Sequence, residues 1–139
     1  MLILSKTLLD KIHESAIEAY PEECCGALLG QINGDEKQVQ ECMPILNTSN
    51  ENKKRRFMIT DQDYMAAEKR ARKQGYVLLG FYHSHPDHPP IPSETDKQFA
   101  WPHFSYPILA IDRKVPQVMK SYVYSEEKEP TEEPIKVLS

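Results

Sequence analysis

Tyr76 to Tyr82 is an almost unbroken apolar run, and it constrains the fold more than any other stretch of the chain. Such a run fits a central strand buried on both faces, because successive side chains alternate across a sheet and both sides here are apolar. Such a strand needs cover above and below. Two amphipathic segments can supply it. Leu8, Leu9, Ile12, Ala16 and Ala19 recur at helical spacing after Ser5 or Thr7 as a cap, and Pro21 ends that helix. Tyr64, Met65, Ala67 and Ala71 do the same after Thr60 or Asp61. Arg70, Arg72 and Lys73 occupy the last turn, and Gly75 lies at the C-cap.

Around these, Leu2–Leu4 reads as a short first strand. Cys24–Gly30 and Val39–Leu46 read as a hairpin about the Asn33-Gly34 turn signal. Asn47–Arg56 is polar and charged, hence a loop. A short helix is expected from Ser93 to about Ala100, then strands at Tyr106–Ile111 and Gln117–Tyr124. An acidic mobile loop is expected over 125–134, and an edge strand at Ile135–Leu138. The expectation is an α/β fold in one domain spanning 1–139: a mixed, curved sheet flanked by the 7–20 and 61–74 helices. A chain of 139 residues is long enough to bury such a core.

Composition removes several function classes. A formal net charge of -4 leaves no basic footprint, so nucleic acid is not an expected partner. No apolar run approaches the ~18 residues of a membrane span. Only four uncharged residues precede Ser5 and Lys6, too few for a signal-peptide core, so a cytoplasmic location is expected. Cys24, Cys25 and Cys42 are odd in number and lack CxxC spacing, which makes them reduced, buried small side chains rather than zinc ligands.

The chemistry concentrates after the apolar strand, in His83-Ser84-His85-Pro86-Asp87-His88-Pro89-Pro90-Ile91-Pro92-Ser93-Glu94-Thr95-Asp96. Residues i and i+2 of a strand share a face, so His83 and His85 point the same way. Four prolines in 86–92 forbid a regular element, and the stiffened loop returns Asp96 on the first turn of the next helix. Two histidines, one carboxylate and an open fourth position make a catalytic zinc set rather than a closed structural one. A histidine pair at a strand end is by itself often only hydrogen-bonded, and Ser93-x-x-Asp96 is also a capping box. The whole H-x-H-x7-S-x-x-D string behind an apolar strand is the specific signal.

That string resembles the JAMM signature of the MPN-domain metalloproteases, H-[ST]-H-x7-S-x-x-D with an upstream glutamate. Pro21-Glu22-Glu23-Cys24-Cys25-Gly26-Ala27-Leu28-Leu29-Gly30 is similar to the P-x-E-x-C-G-x-L-x-G block carrying that glutamate, which the alignment places at Glu23, not Glu22. Asn47, Arg56-Phe57, Gly80-Phe81-Tyr82 and Pro134-Ile135 also fit small prokaryotic members. The resemblance implies a JAMM/MPN fold of the cytidine-deaminase-like kind, with one zinc ion per chain on His83, His85 and Asp96. Glu23 would be the general acid–base and Ser93 the hydrogen-bond donor to the oxyanion. Ser84 would be supportive. Asp87 and His88 are not expected to be ligands, Cys25 packs, and Trp101 and Phe104 are placed with the core.

Members of that family cut amide bonds after the C-terminal glycines of ubiquitin or ubiquitin-like proteins. The short chain and its Cys-Cys-Gly block resemble bacterial members acting after the Gly-Gly end of ubiquitin-fold sulfur-carrier proteins. Such a thin tail could lie along a strand edge. Other readings are a non-catalytic MPN interaction module, a deubiquitinase-like protein and a DNA-repair-associated JAMM protein. A zinc nucleobase deaminase is excluded, because H-x-E and P-C-x-x-C are missing.

Overall fold

The computed structural model describes residues 1–46 and 59–139. The loop expected over Asn47–Arg56 lies outside the described residues. In chain order the elements are β1 (Leu2–Ser5), α1 (Lys6–Ala19), β2 (Cys25–Asn33), β3 (Glu36–Ile45), α2 (Asp61–Gln74) and β4 (Val77–Pro86). They continue with α3 (Glu94–Phe99), β5 (Ser105–Asp112), β6 (Val115–Tyr124), β7 (Pro130–Glu133) and β8 (Ile135–Leu138). The strands form one mixed sheet in the order β7-β6-β5-β4-β2-β3-β1-β8. β4 lies inside it, antiparallel to β2 and parallel to β5, as its apolar sequence requires.

The sheet curls on itself. β7 and β8 stand at opposite ends of the strand order, yet only Pro134 separates them in the chain. The Leu2 amide donates to the Pro134 carbonyl at 2.9 Å, and the Met1 ammonium lies 3.7 Å from Glu133. One C-terminal segment therefore pairs with β6 through its first half and with β1 through its second. This corrects the expected acidic loop over 125–134: residues 130–133 form β7, in register with Ser121–Tyr124. Proline and two adjacent acids are tolerated there because, among the described residues, β7 has a neighbour on one side only. Glu133 accepts a hydrogen bond from Ser121 Oγ at 2.7 Å.

Each face of the sheet has its own core. Ile12 and Ala16 of α1 pack with Leu28, Leu79, Tyr82, Leu109 and Ile111 on one face. Ala67 and Ala71 of α2 pack with Ala27, Leu29, Phe81 and Ile108 on the other. Ser5 caps α1. Thr60 and Asp63 close a capping box on α2, and Gly75 ends it at φ 76° in the left-handed region. Cys24 and Cys25 are buried and Cys42 half-buried, and burial pushes the Cys42 thiol up to about 12. All three behave as small core side chains.

Candidate metal centre

β4 continues straight through the two histidines. Cys25 faces His83 from β2, while Ile108 and Ala110 of β5 face His83 and His85 from the other side. The alternation that sends Phe81 into the α2 core sends His83 and His85 to that same face, and Ser84 to the α1 face. Past Pro86 the chain leaves the sheet, and the loop folds back through its own carbonyls. His85 Nδ1 donates to Pro89 O at 3.0 Å, and Tyr122 OH donates to Pro90 O at 2.9 Å. The first of these fixes the His85 tautomer with its Nε2 lone pair aimed inward.

Ser93 caps α3. Its Oγ accepts from the Asp96 amide at 3.0 Å, and Asp96 Oδ2 accepts from the Ser93 amide at 2.9 Å. The capping carboxylate is the same one that faces the two imidazoles. Asp96 Oδ2 also lies 3.1 Å from His85 Nε2 and 3.3 Å from His83 Nε2, and the two imidazole nitrogens are 3.1 Å apart. Ligands held tetrahedrally at zinc distances of ~2.0–2.1 Å are about 3.3 Å from one another. The triangle is therefore close to the size of one face of a zinc tetrahedron. A carboxylate oxygen and two ring nitrogens converging in this way can hold a cation among them. The residues fit the metal.

Glu23 occupies the irregular stretch between α1 and β2, and it is 2% exposed. Continuing the Cys25–His83 register by two residues sets Glu23 across from His85. One of its carboxylate oxygens lies within 4.8 Å of the ligand nitrogens of both histidines. Glu22, its neighbour, is exposed. Local sequence alone would make either one a solvated loop carboxylate; the aligned block chose the buried one.

Electrostatics differ sharply among these groups. Burial, with some help from the Asp96 charge, pushes the Glu23 carboxyl from its ordinary 4.5 to about 9. Burial also lowers His83 below the usual imidazole range, leaving a neutral ring. Burial opposes ionisation of Asp96 as well, but His83, His85 and the Ser93 amide outweigh it and hold the carboxyl well below the usual carboxylate range. A neutral imidazole beside a carboxylate is the donor state a divalent metal needs.

A cleft of about 360 Å³ opens onto the site, walled by Glu23, His85, His88, Pro89, Ile91 and Ser93. On the other side of the triangle, His83 and Asp96 meet an aromatic wall that includes Trp101, Tyr106 and Tyr124. Trp101 and Phe104 pack against the α2-side core, and Trp101 also reaches this wall. Asp87 turns away from the triangle to hydrogen-bond Tyr20 and the Arg113 amide. His88 is exposed and lines the cleft. The strand carrying the histidines is paired on both sides, so among the described residues a substrate tail finds no free edge on β4.

Comparison with known proteins agrees with this fold. The model of the prokaryotic homologues of the JAB domain matches residues 5–124. The chain belongs to this prokaryotic JAB family. Its relatives include a desampylase of Haloferax volcanii, 30% identical over 110 residues that span 78% of this chain and 77% of that protein. A Desulfitobacterium hafniense protein, known from its solution structure, superposes at a TM-score of 0.86. It is 33% identical, covering 99% of this chain and 92% of that one. A structure described as JAMM, a metalloprotease-like zinc site in the proteasome and signalosome, shares the fold at a TM-score of 0.57. There the identity is 21% and the match covers 100% of this chain and 99% of that one. The JAB/MPN architecture, with its mixed curved sheet and flanking helices, is thereby shown. Among the described residues no helix is long and apolar enough to cross a membrane.

Proposed function

We propose that this JAB-family chain, a JAMM/MPN domain over residues 1–139, is a cytoplasmic zinc metallopeptidase or isopeptidase. Its bond is the amide after the C-terminal diglycine of a ubiquitin-like sulfur-carrier protein. The observation that supports this most is the convergence of His83, His85 and Asp96 into a triangle 3.1–3.3 Å on edge, with a buried glutamate at its border. The likeness to a desampylase supports the hydrolytic reading.

His83, His85 and Asp96 would hold one zinc ion, which supplies Lewis-acid activation of water and of the scissile carbonyl. Glu23 takes the proton of the attacking water on its carboxylate and hands it to the leaving amine, a role worth ~10²–10⁴-fold in rate. Its burial keeps the proton from bulk water. Ser93 Oγ already accepts from the Asp96 amide, so its own hydrogen is free to donate to the developing oxyanion. Two glycines present no side chain, and their extended backbone fits an approach across the cleft.

The test is incubation of zinc-loaded protein with a small ubiquitin-like carrier extended beyond its terminal Gly-Gly, followed by mass spectrometry. Cleavage after the second glycine, abolished by a strong chelator and restored by zinc, is expected. Tight binding with no cleavage of linear or isopeptide extensions would favour the interaction-module reading instead.

A further inference from the structure

Two polar residues of the His83–Asp96 string, Ser84 and Asp87, make hydrogen bonds that the chemistry above does not use. Both reach toward the segment that carries Glu23. Tyr20 to Cys24 belongs to neither α1 nor β2. Ser84 is fully buried, and its Oγ accepts the Cys24 amide at 2.9 Å while its own amide donates to the Cys24 carbonyl at 3.1 Å. Ser84 therefore grips both backbone groups of the residue after Glu23. Asp87 adopts φ 58°, in the left-handed region that aspartate tolerates better than most residues. Its amide donates to the Ile111 carbonyl at 2.7 Å, and its carboxylate accepts the Arg113 amide at 2.9 Å. That carboxylate also accepts Tyr20 OH, at 2.9 and 2.7 Å. Tyr20 begins the Glu23 segment.

We propose that Ser84 and Asp87 are positioning residues that clamp the two ends of the Glu23 segment onto the strand and loop carrying His83 and His85. Ser84 lies between the two histidines and Asp87 two residues beyond the second. The acid–base group and the metal ligands are thus held as one piece, although they come from different parts of the chain. The hydrogen bonds carry the geometric claim; its catalytic meaning rests on the proposed role of Glu23. An acid–base group misplaced by about 1 Å can lose ~10²-fold in rate, which is the loss such a clamp prevents.

Ser84→Ala removes the Oγ half of the inner grip and leaves the Ser84 amide on the Cys24 carbonyl, and Tyr20→Phe removes the outer grip at a half-buried position without altering the Asp87 backbone. Zinc content, kcat and KM on the extended carrier, and amide hydrogen exchange are measured for each variant and for the pair. Expected are unchanged zinc content and KM, kcat lowered about tenfold in each single variant, and a deeper loss in the double variant. The Cys24 amide should exchange on the order of fivefold to tenfold faster in Ser84→Ala, the effect of losing one hydrogen bond. Wild-type kcat in the double variant would overturn the clamp. So would loss of zinc in step with kcat, since the two residues would then be supporting the metal loop instead. Should the wild type cut nothing, the proposed function fails, and the Cys24 exchange rate alone decides whether the clamp exists.

Discussion

Replacing Glu23 by glutamine should stabilise the metal-free protein, and by an amount that grows with pH. In the fold the carboxyl is 2% exposed and its pKa is raised from 4.5 to about 9. Unfolded chains therefore release this proton near pH 4.5, whereas folded chains keep it. A group raised in this way favours the fold fully below pH 4.5, and that stability is lost as the pH climbs towards 9. Each pH unit inside the window costs about 1.4 kcal/mol. At pH 7 the wild type would have lost about 3 kcal/mol, and at pH 8.5 about 5 kcal/mol. Glutamine fills the same space and does not ionise. Urea denaturation of metal-stripped wild type and Glu23→Gln at pH 5, 7 and 8.5 reads the difference directly. The two should lie within about 1 kcal/mol at pH 5 and diverge by a further ~2 kcal/mol between pH 7 and 8.5. Zinc should shrink the divergence, because a divalent charge beside the carboxyl favours its ionised form. A gap that stays constant across the three pH values would refute the burial argument and make Glu23 an ordinary solvated carboxylate.

Asp96→Ala should bind zinc more than ~100-fold more weakly, given that even losses outside the coordinating shell cost 10–100-fold; metal analysis after gel filtration checks it. Full zinc content in that variant would shift suspicion to Glu23, a carboxylate oxygen of which lies within 4.8 Å of the ligand nitrogens of both histidines. Acidification should release the metal, because protons compete for the imidazoles. With His83 held below the ordinary 6.5 by burial, release on a pH-stepped metal titration should be centred below that value. Gly26→Ala should cost about 1–3 kcal/mol, seen as a Tm lowered by roughly 3–10 °C, since a Cβ there would run into the buried Tyr82 ring.

The parts of this molecule that depend on neighbours along the chain were legible in its sequence. Helix caps at Ser5, Thr60 and Gly75 act within one turn, so α1 and α2 fall within a residue of where spacing and caps set them. The two-faced apolar run announced β4. The position of β7 was not readable, because its strand character comes from pairing with β6 and not from Pro130-Thr131-Glu132-Glu133 itself. Closure of the sheet through Pro134 was hidden for the same reason. At the site, the His83/His85 face followed from strand alternation and Asp96 from the capping pattern. Glu23 could not be chosen over Glu22 from local properties, since its burial is created by β4 and its position by Ser84 and Asp87. Those two clamps were visible as residues but not as contacts: Ser84 lies 60 positions from Cys24, and Asp87 lies 67 from Tyr20.

The central claim is that Glu23 moves the proton while His83, His85 and Asp96 hold the metal. The direct measurement is turnover of a Gly-Gly-extended carrier by zinc-loaded wild type, Glu22→Ala and Glu23→Ala, with zinc content and carrier affinity measured in parallel. Glu23→Ala should keep its zinc and its affinity while kcat falls by ~10²–10⁴-fold, and Glu22→Ala should match the wild type. Wild-type turnover in Glu23→Ala, or loss of turnover only in Glu22→Ala, would contradict the account.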